Sequence, residues 1–99
     1  MILEIADIRI VPGQQAAFDE AIQRALTSVV SRARGMRGWK VNRGVESPER
    51  YVLMIFWETL EDHVQHFRGG PLFGQWRGIV GPYFAAPPAV EHFNLVGKS

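Results

Sequence analysis

Cysteine is absent from the chain, and its absence removes disulfides, thiolate nucleophiles, iron–sulfur ligation and Cys-based zinc sites together, leaving histidine or carboxylate metal sites open. Long apolar runs are also missing. The longest, Val52 to Trp57, is far short of the roughly 20 residues of a membrane span. Glu4, Asp7 and Arg9 interrupt the first eleven residues, so no signal peptide is expected. Nor does charge of one sign dominate: 11 basic against 10 acidic residues leave a formal charge of +1, without the footprint of a nucleic-acid or anionic-membrane binder. The expectation is a soluble, cytoplasmic protein with neither nucleic acid nor membrane as partner. What is present is 99 residues that are 46% hydrophobic and 11% aromatic, enough for one domain over residues 1–99 with a small core. A domain of this size buries roughly 60 to 65% of its unfolded surface, so self-association is expected to supply further burial.

Ile2 to Val11 alternates, with Ile2, Ala6, Ile8 and Ile10 on one face and Leu3, Ile5, Asp7, Arg9 and Val11 on the other, which predicts a strand. Pro12-Gly13 stops it. From Gln14 the residues Phe18, Ala21, Ile22, Ala25, Leu26, Val29 and Ala33 recur at helical spacing, and Gly35 and Gly38 end that helix. Trp39 to Val45 resumes period two, with Trp39, Val41 and Val45 on one face, and Glu46-Ser-Pro-Glu-Arg50 turns the chain into Tyr51 to Trp57 as a hairpin. Thr59 with Asp62 reads as an approximate capping box for a short helix striped by Leu60, Val64 and Phe67. Gly69-Gly70 breaks it, Pro71 opens a further helix, Leu72 to about Val80, and Ala89 to Val96 is a last strand after the proline-rich Tyr83 to Pro88. Strand, helix, strand, strand, helix pair, strand is the order of the α+β, ferredoxin-like split βαβ fold.

The third strand is apolar on both faces. Tyr51, Leu53, Ile55 and Trp57 point one way and Val52, Met54 and Phe56 the other. An antiparallel sheet needs its own helices on only one face, so the second face predicts another layer, most simply the sheet of a second subunit.

Among polar residues, His63 falls on the same broad stripe as Leu60, Val64 and Phe67, and an inward imidazole can titrate near neutrality and move a proton. A structural histidine bonded to a backbone carbonyl is the alternative. His66 falls beyond the stripe. The His63/His66 spacing suits some metal sites, but no third ligand has motif spacing, and no metal is assigned. Arg77, after Trp76, could neutralise an anionic substrate or pair with a carboxylate. Trp39, Tyr51, Trp57, Trp76 and Tyr83 could line a flat apolar pocket or simply be core. The basic run Arg32, Arg34, Arg37, Lys40 and Arg43 is read as a solvated helix end.

Several short motifs fall in an order that resembles the antibiotic biosynthesis monooxygenase domain family: Pro12-Gly13, Glu46-x-Pro48-x-x-Tyr51, Trp57-Glu58-x-Leu60-x-x-His63, Phe67-Arg68, Phe73-x-x-Trp76-Arg77 and Pro87-Pro88-x-Val90-Glu91-His92. The resemblance implies a dimeric α+β barrel of two face-to-face ferredoxin-like sheets, with a pocket between each sheet and its helices. It implies a cofactor-independent monooxygenase acting with dioxygen on a phenol, quinol or polyketide-like aromatic. In that reading His63 is the base, Arg77 the charge stabiliser, Trp57 and Trp76 the walls, and Trp39, Tyr51, Phe67 and Tyr83 further substrate contacts. Trp57 and Arg77 match the aromatic polyketide oxygenases, but His63 and Leu53 stand where those enzymes carry tyrosine and asparagine. The positions corresponding to the haem-degrading members' asparagine, tryptophan and histidine fall near Asp7, His66 and Arg77, so no haem is expected. The alternatives within the family are a non-catalytic dimeric ligand-binding or stress-associated module and an acid–base isomerase using the same pocket.

Overall fold

Alternation in the first segment and helical periodicity in the next produce the elements expected of them. The computed structural model describes residues 1–99. Its order is β1 (Ile2–Arg9), α1 (Gln15–Ser28), β2 (Met36–Arg43), β3 (Arg50–Trp57), α2 (Pro71–Val80) and β4 (Ala89–Asn94), with a π-helical turn at Asp62–Phe67 between β3 and α2. The four strands form one antiparallel sheet in the order β2-β3-β1-β4, the ferredoxin-like α+β arrangement. The most apolar strands, β1 and β3, take the centre.

Both helices cover one face. Phe18, Ile22, Ala25 and Leu26 of α1 and Trp76 and Val80 of α2 close over Ala6, Ile8, Leu53 and Ile55 of the sheet, and each large side chain so buried contributes about 1.5–3 kcal/mol. No helix is long and apolar enough to cross a membrane. On the opposite face Leu3, Ile5, Val52, Met54 and Phe56 are only half-buried, and Phe93 is exposed. Cross-strand pairing makes them one patch, because Leu3 stands opposite both Phe56 and Phe93, and Ile5 opposite Met54.

Three boundaries differ from expectation, each for a local reason. The first helix ends at Ser28, because the Thr27 and Ser28 hydroxyls donate to the carbonyls of Gln23 and Arg24 at 2.9 and 2.5 Å and compete with continued helix. Ala33 is still buried, beyond a short 3-10 turn. Val45 is not on a strand face but in the turn, 89% exposed. Leu95 and Val96 lie beyond β4 and are exposed.

The short helix after β3 differs most. Thr59 and Asp62 do cap it reciprocally, the Thr59 N–H donating to the Asp62 carboxylate and the Asp62 N–H to the Thr59 hydroxyl, each at 3.2 Å. Gly35 makes room for this box: its φ is +80°, and a Cβ there would fall on the Asp62 carboxylate. From there the turn widens. The Arg68 N–H donates to the His63 carbonyl five residues back at 3.0 Å, the π-type closure often found at functional sites. The stripe rotates with it, so that Asp62, His63 and Phe67 are buried while Leu60 is 39% exposed.

Candidate active site

Sheet register brings two ionisable side chains together on the covered face. Glu4 of β1 pairs directly with His92 of β4, and the π-helical turn lowers His63 onto both. The His63 Nε2 lies 3.3 Å from Glu4 Oε1, and its Nδ1 lies 2.7 Å from His92 Nε2. Trp57 Nε1–H donates to the same Glu4 oxygen at 2.9 Å, and the Trp57 indole stacks on the His63 ring at 5.2 Å with 16° between planes. Glu4 is 5% exposed and His63 3%. Such burial is tolerable only because the polar atoms are partnered.

Burial, the largest influence, holds His63 down from its ordinary 6.5 to about 3, and the positive Arg68 and neighbouring His92 push the same way. His92 is lowered too, by burial and then Arg68. Glu4 moves the other way. Burial raises its pKa despite the opposing Trp57 hydrogen bond and the charge of Arg68. Both histidines are therefore neutral at pH 7, joined by the hydrogen bond between His63 Nδ1 and His92 Nε2, with Glu4 in contact at His63 Nε2.

The His63 shift makes stability depend on pH. Unfolded, His63 binds a proton below about 6.5; folded, it does not until about 3, so its contribution is full above pH 6.5 and is lost as pH falls towards 3. Glu4 has the opposite sign, its raised pKa favouring the fold at low pH and losing that contribution as pH rises through the folded value. The urea midpoint of the protein is expected to fall between pH 7 and pH 4, and His63→Phe to flatten that fall. A variant with the parent's full pH dependence would contradict the burial of a neutral His63.

Beside the array opens a cavity of about 530 Å³, within the range of small-molecule sites. Ala6, Ile8, Leu53 and Ile55 form its floor; Phe67, Phe73 and Trp76 and the segment Phe84–Pro88 form its walls; Glu4, His63, Arg68 and Arg77 supply its polar groups. The wall segment is tied down by the Ala85 N–H, which donates to the Arg9 carbonyl at 2.8 Å. Of the residues singled out in the sequence, His63, Phe67, Trp76 and Arg77 meet at this cavity.

The others lie elsewhere. Trp57 is fully buried behind the array and reaches the cavity only through Glu4 and His63. Trp39, on β2, is packed against the core away from the cavity. Tyr51 hydrogen-bonds Asp19, which also pairs with Arg43, and burial and then Asp19 push its hydroxyl up to about 12. It therefore stays protonated at neutral pH. Tyr83 packs edge-on against Phe18 at 5.8 Å. His66 is exposed. The basic run is solvated and its arginines are partnered: Arg32 with Gln75, Arg34 with Asp62, Arg37 with Glu58 and Arg43 with Asp19; Lys40 is exposed. Arg24 pairs with Glu20, and Arg9 and Arg50 with Asp7.

Sequence reading passed over Glu4, His92 and Arg68. For Glu4 the signal was parity: position 4 falls between Ile2 and Ala6 on the inward face. His92 shares the parity of Val90 in the same way.

The antibiotic biosynthesis monooxygenase family model matches residues 1–78, so β4 and His92 lie beyond the matched part. The uncharacterised Bacillus subtilis protein YczJ is 31% identical over 96 residues, covering 97% of this chain and all of that one. A crystal structure from Bordetella bronchiseptica, provisionally named an antibiotic biosynthesis monooxygenase, superposes with a TM-score of 0.90 at 41% identity over 96% of each chain. A similarly named structure from Nitrosomonas europaea, at 20% identity and a TM-score of 0.79 over 96% of this chain and 89% of that one, shares the fold.

Proposed function

Because this chain belongs to the antibiotic biosynthesis monooxygenase family, we propose that it is a homodimeric, cofactor-independent monooxygenase that oxidises a small electron-rich aromatic, a phenol, quinol or polyketide-like ring, with dioxygen. The observation that carries this reading is the Glu4–His63–His92 array, with Glu4 and His63 buried, beside a largely apolar cavity that Glu4 and His63 line. A cytoplasmic setting belongs to the same reading and rests on composition.

The chemistry asks little of the protein. A hydroxyl of the bound ring must lose its proton, and the resulting anion must be held beside dioxygen in an apolar space. His63 is the centre of the base. His63 carries its proton on Nδ1 and donates it to His92 Nε2, leaving its own Nε2 free towards Glu4. Glu4 takes the substrate proton and passes it to His63 Nε2 as the His63 Nδ1 proton moves to His92 Nε2, and the half-buried His92 loses its own Nδ1 proton to solvent. The array thus accepts a proton at the cavity end and releases one at the β4 end without His63 resting as imidazolium, so its depressed pKa does not bar the transfer. Trp57 is a positioning residue, fixing Glu4 by its N–H and His63 by stacking. Arg77 supplies positive charge to the anionic ligand, and Phe67 and Trp76 hold the ring.

The electron balance closes within the substrate. The anion reduces dioxygen; one oxygen atom forms the new carbonyl of a quinone, the other leaves as water, and the substrate supplies all four electrons. With 1-naphthol and substituted hydroquinones as probes, protein-dependent uptake of dioxygen is expected in an oxygen electrode. Turnover without uptake would replace the reading with isomerase chemistry, and binding without turnover would replace it with a ligand-binding module.

A further inference from the structure

The chain has nine arginines, and seven of them are held by a carboxylate or amide partner as described above. The two without such a partner are Arg68 and Arg77, and these are the two that line the cavity. Both are exposed, which puts them at its mouth. Arg77 lies over the Phe73 ring with its guanidinium carbon 6.0 Å from the centroid, and Phe73 meets Phe67, the residue before Arg68, edge to face at 5.7 Å. Arg68 lies close enough to Glu4, His63 and His92 for its charge to act on all three.

Glu4 is the one carboxylate lining this cavity, and it is committed to Trp57 and His63; it stands more than an ion-pair distance from either arginine. A transient oxyanion needs one positive group, whereas the mouth presents two. We infer that the ligand of this cavity carries a permanent carboxylate, bound between Arg68 and Arg77, on an aromatic body that reaches down to Glu4 and His63. Guanidinium suits a carboxylate through its planar fork of donors. The inference rests on the reading of the cavity as an aromatic site, but it is separable from it by binding alone.

The test compares 2-naphthoate with the neutral 2-naphthamide by isothermal titration calorimetry. The naphthoate is expected to bind about tenfold tighter or more, the worth of a charge-assisted contact at a partly exposed site, with the margin shrinking as salt is raised. In the double variant Arg68→Gln/Arg77→Gln the preference should vanish, while naphthamide affinity stays within about twofold, which also reports that the cavity is intact. Equal binding of the two probes, or a preference that survives in the double variant, overturns the carboxylate inference and leaves the aromatic reading standing. Failure of both probes to bind overturns both.

Discussion

Met54→Asp is expected to convert the proposed dimer into a folded monomer. Met54 lies at the middle of β3 on the face opposite the helices, beside Ile5 of β1 and Lys40 of β2. Around it Leu3, Ile5, Val52, Phe56 and Phe93 form an apolar surface that nothing in the chain covers. In a sheet-to-sheet dimer an aspartate there would be buried without a partner, at a cost of about 3–5 kcal/mol, raising the dissociation constant by a hundredfold or more. In the monomer the same side chain remains half-exposed, so the fold should survive. Sedimentation velocity at micromolar concentration, with circular dichroism as the check on folding, measures both. A parent protein that sediments as a stable monomer, or a Met54→Asp variant that still dimerises like the parent, would defeat the proposed assembly.

His63→Phe is expected to slow oxygen-dependent turnover by roughly 10² to 10⁴, the usual worth of positioned acid–base catalysis. Phenylalanine preserves the ring, and with it the contact with Trp57 and the neighbouring Phe67. It removes both nitrogens that join Glu4 to His92. His66→Phe, on the exposed side of the same turn, should change turnover little. A His63→Phe enzyme within about threefold of the parent, far below the range for a general base, would reduce His63 to a packing residue and leave Glu4 without its proposed relay.

How much of this could be read from sequence depends on which periodicity governs each residue. The strands were legible because β1 alternates and β3 is an unbroken apolar run bounded by turn residues, and α1 because its apolar spacing is regular. The π-helical turn was not, since helical spacing assumes i→i+4 closure and the Arg68-to-His63 bond is one residue wider. His63 was still placed inward because it stood near the edge of the stripe under either count, whereas Leu60 was misplaced. The array itself depends on long-range register. Nothing local tells that Glu4 and His92, 88 positions apart, become direct neighbours across β1 and β4. Aromatic content gave the inverse error. Trp39, Tyr51 and Tyr83 have the periodicity of a pocket lining, but that periodicity is shared by core, and in the structure they pack away from the large cavity.

The most direct measurement of the central claim is turnover of 1-naphthol under ¹⁸O₂, with mass spectrometry of the product and of the water formed. The account predicts one labelled oxygen on the ring of each quinone and the other in water, with no added reductant, and labelled product falling in parallel with rate in His63→Phe. Quinone formed with unlabelled oxygen throughout, or at an equal rate with dioxygen excluded, would contradict it.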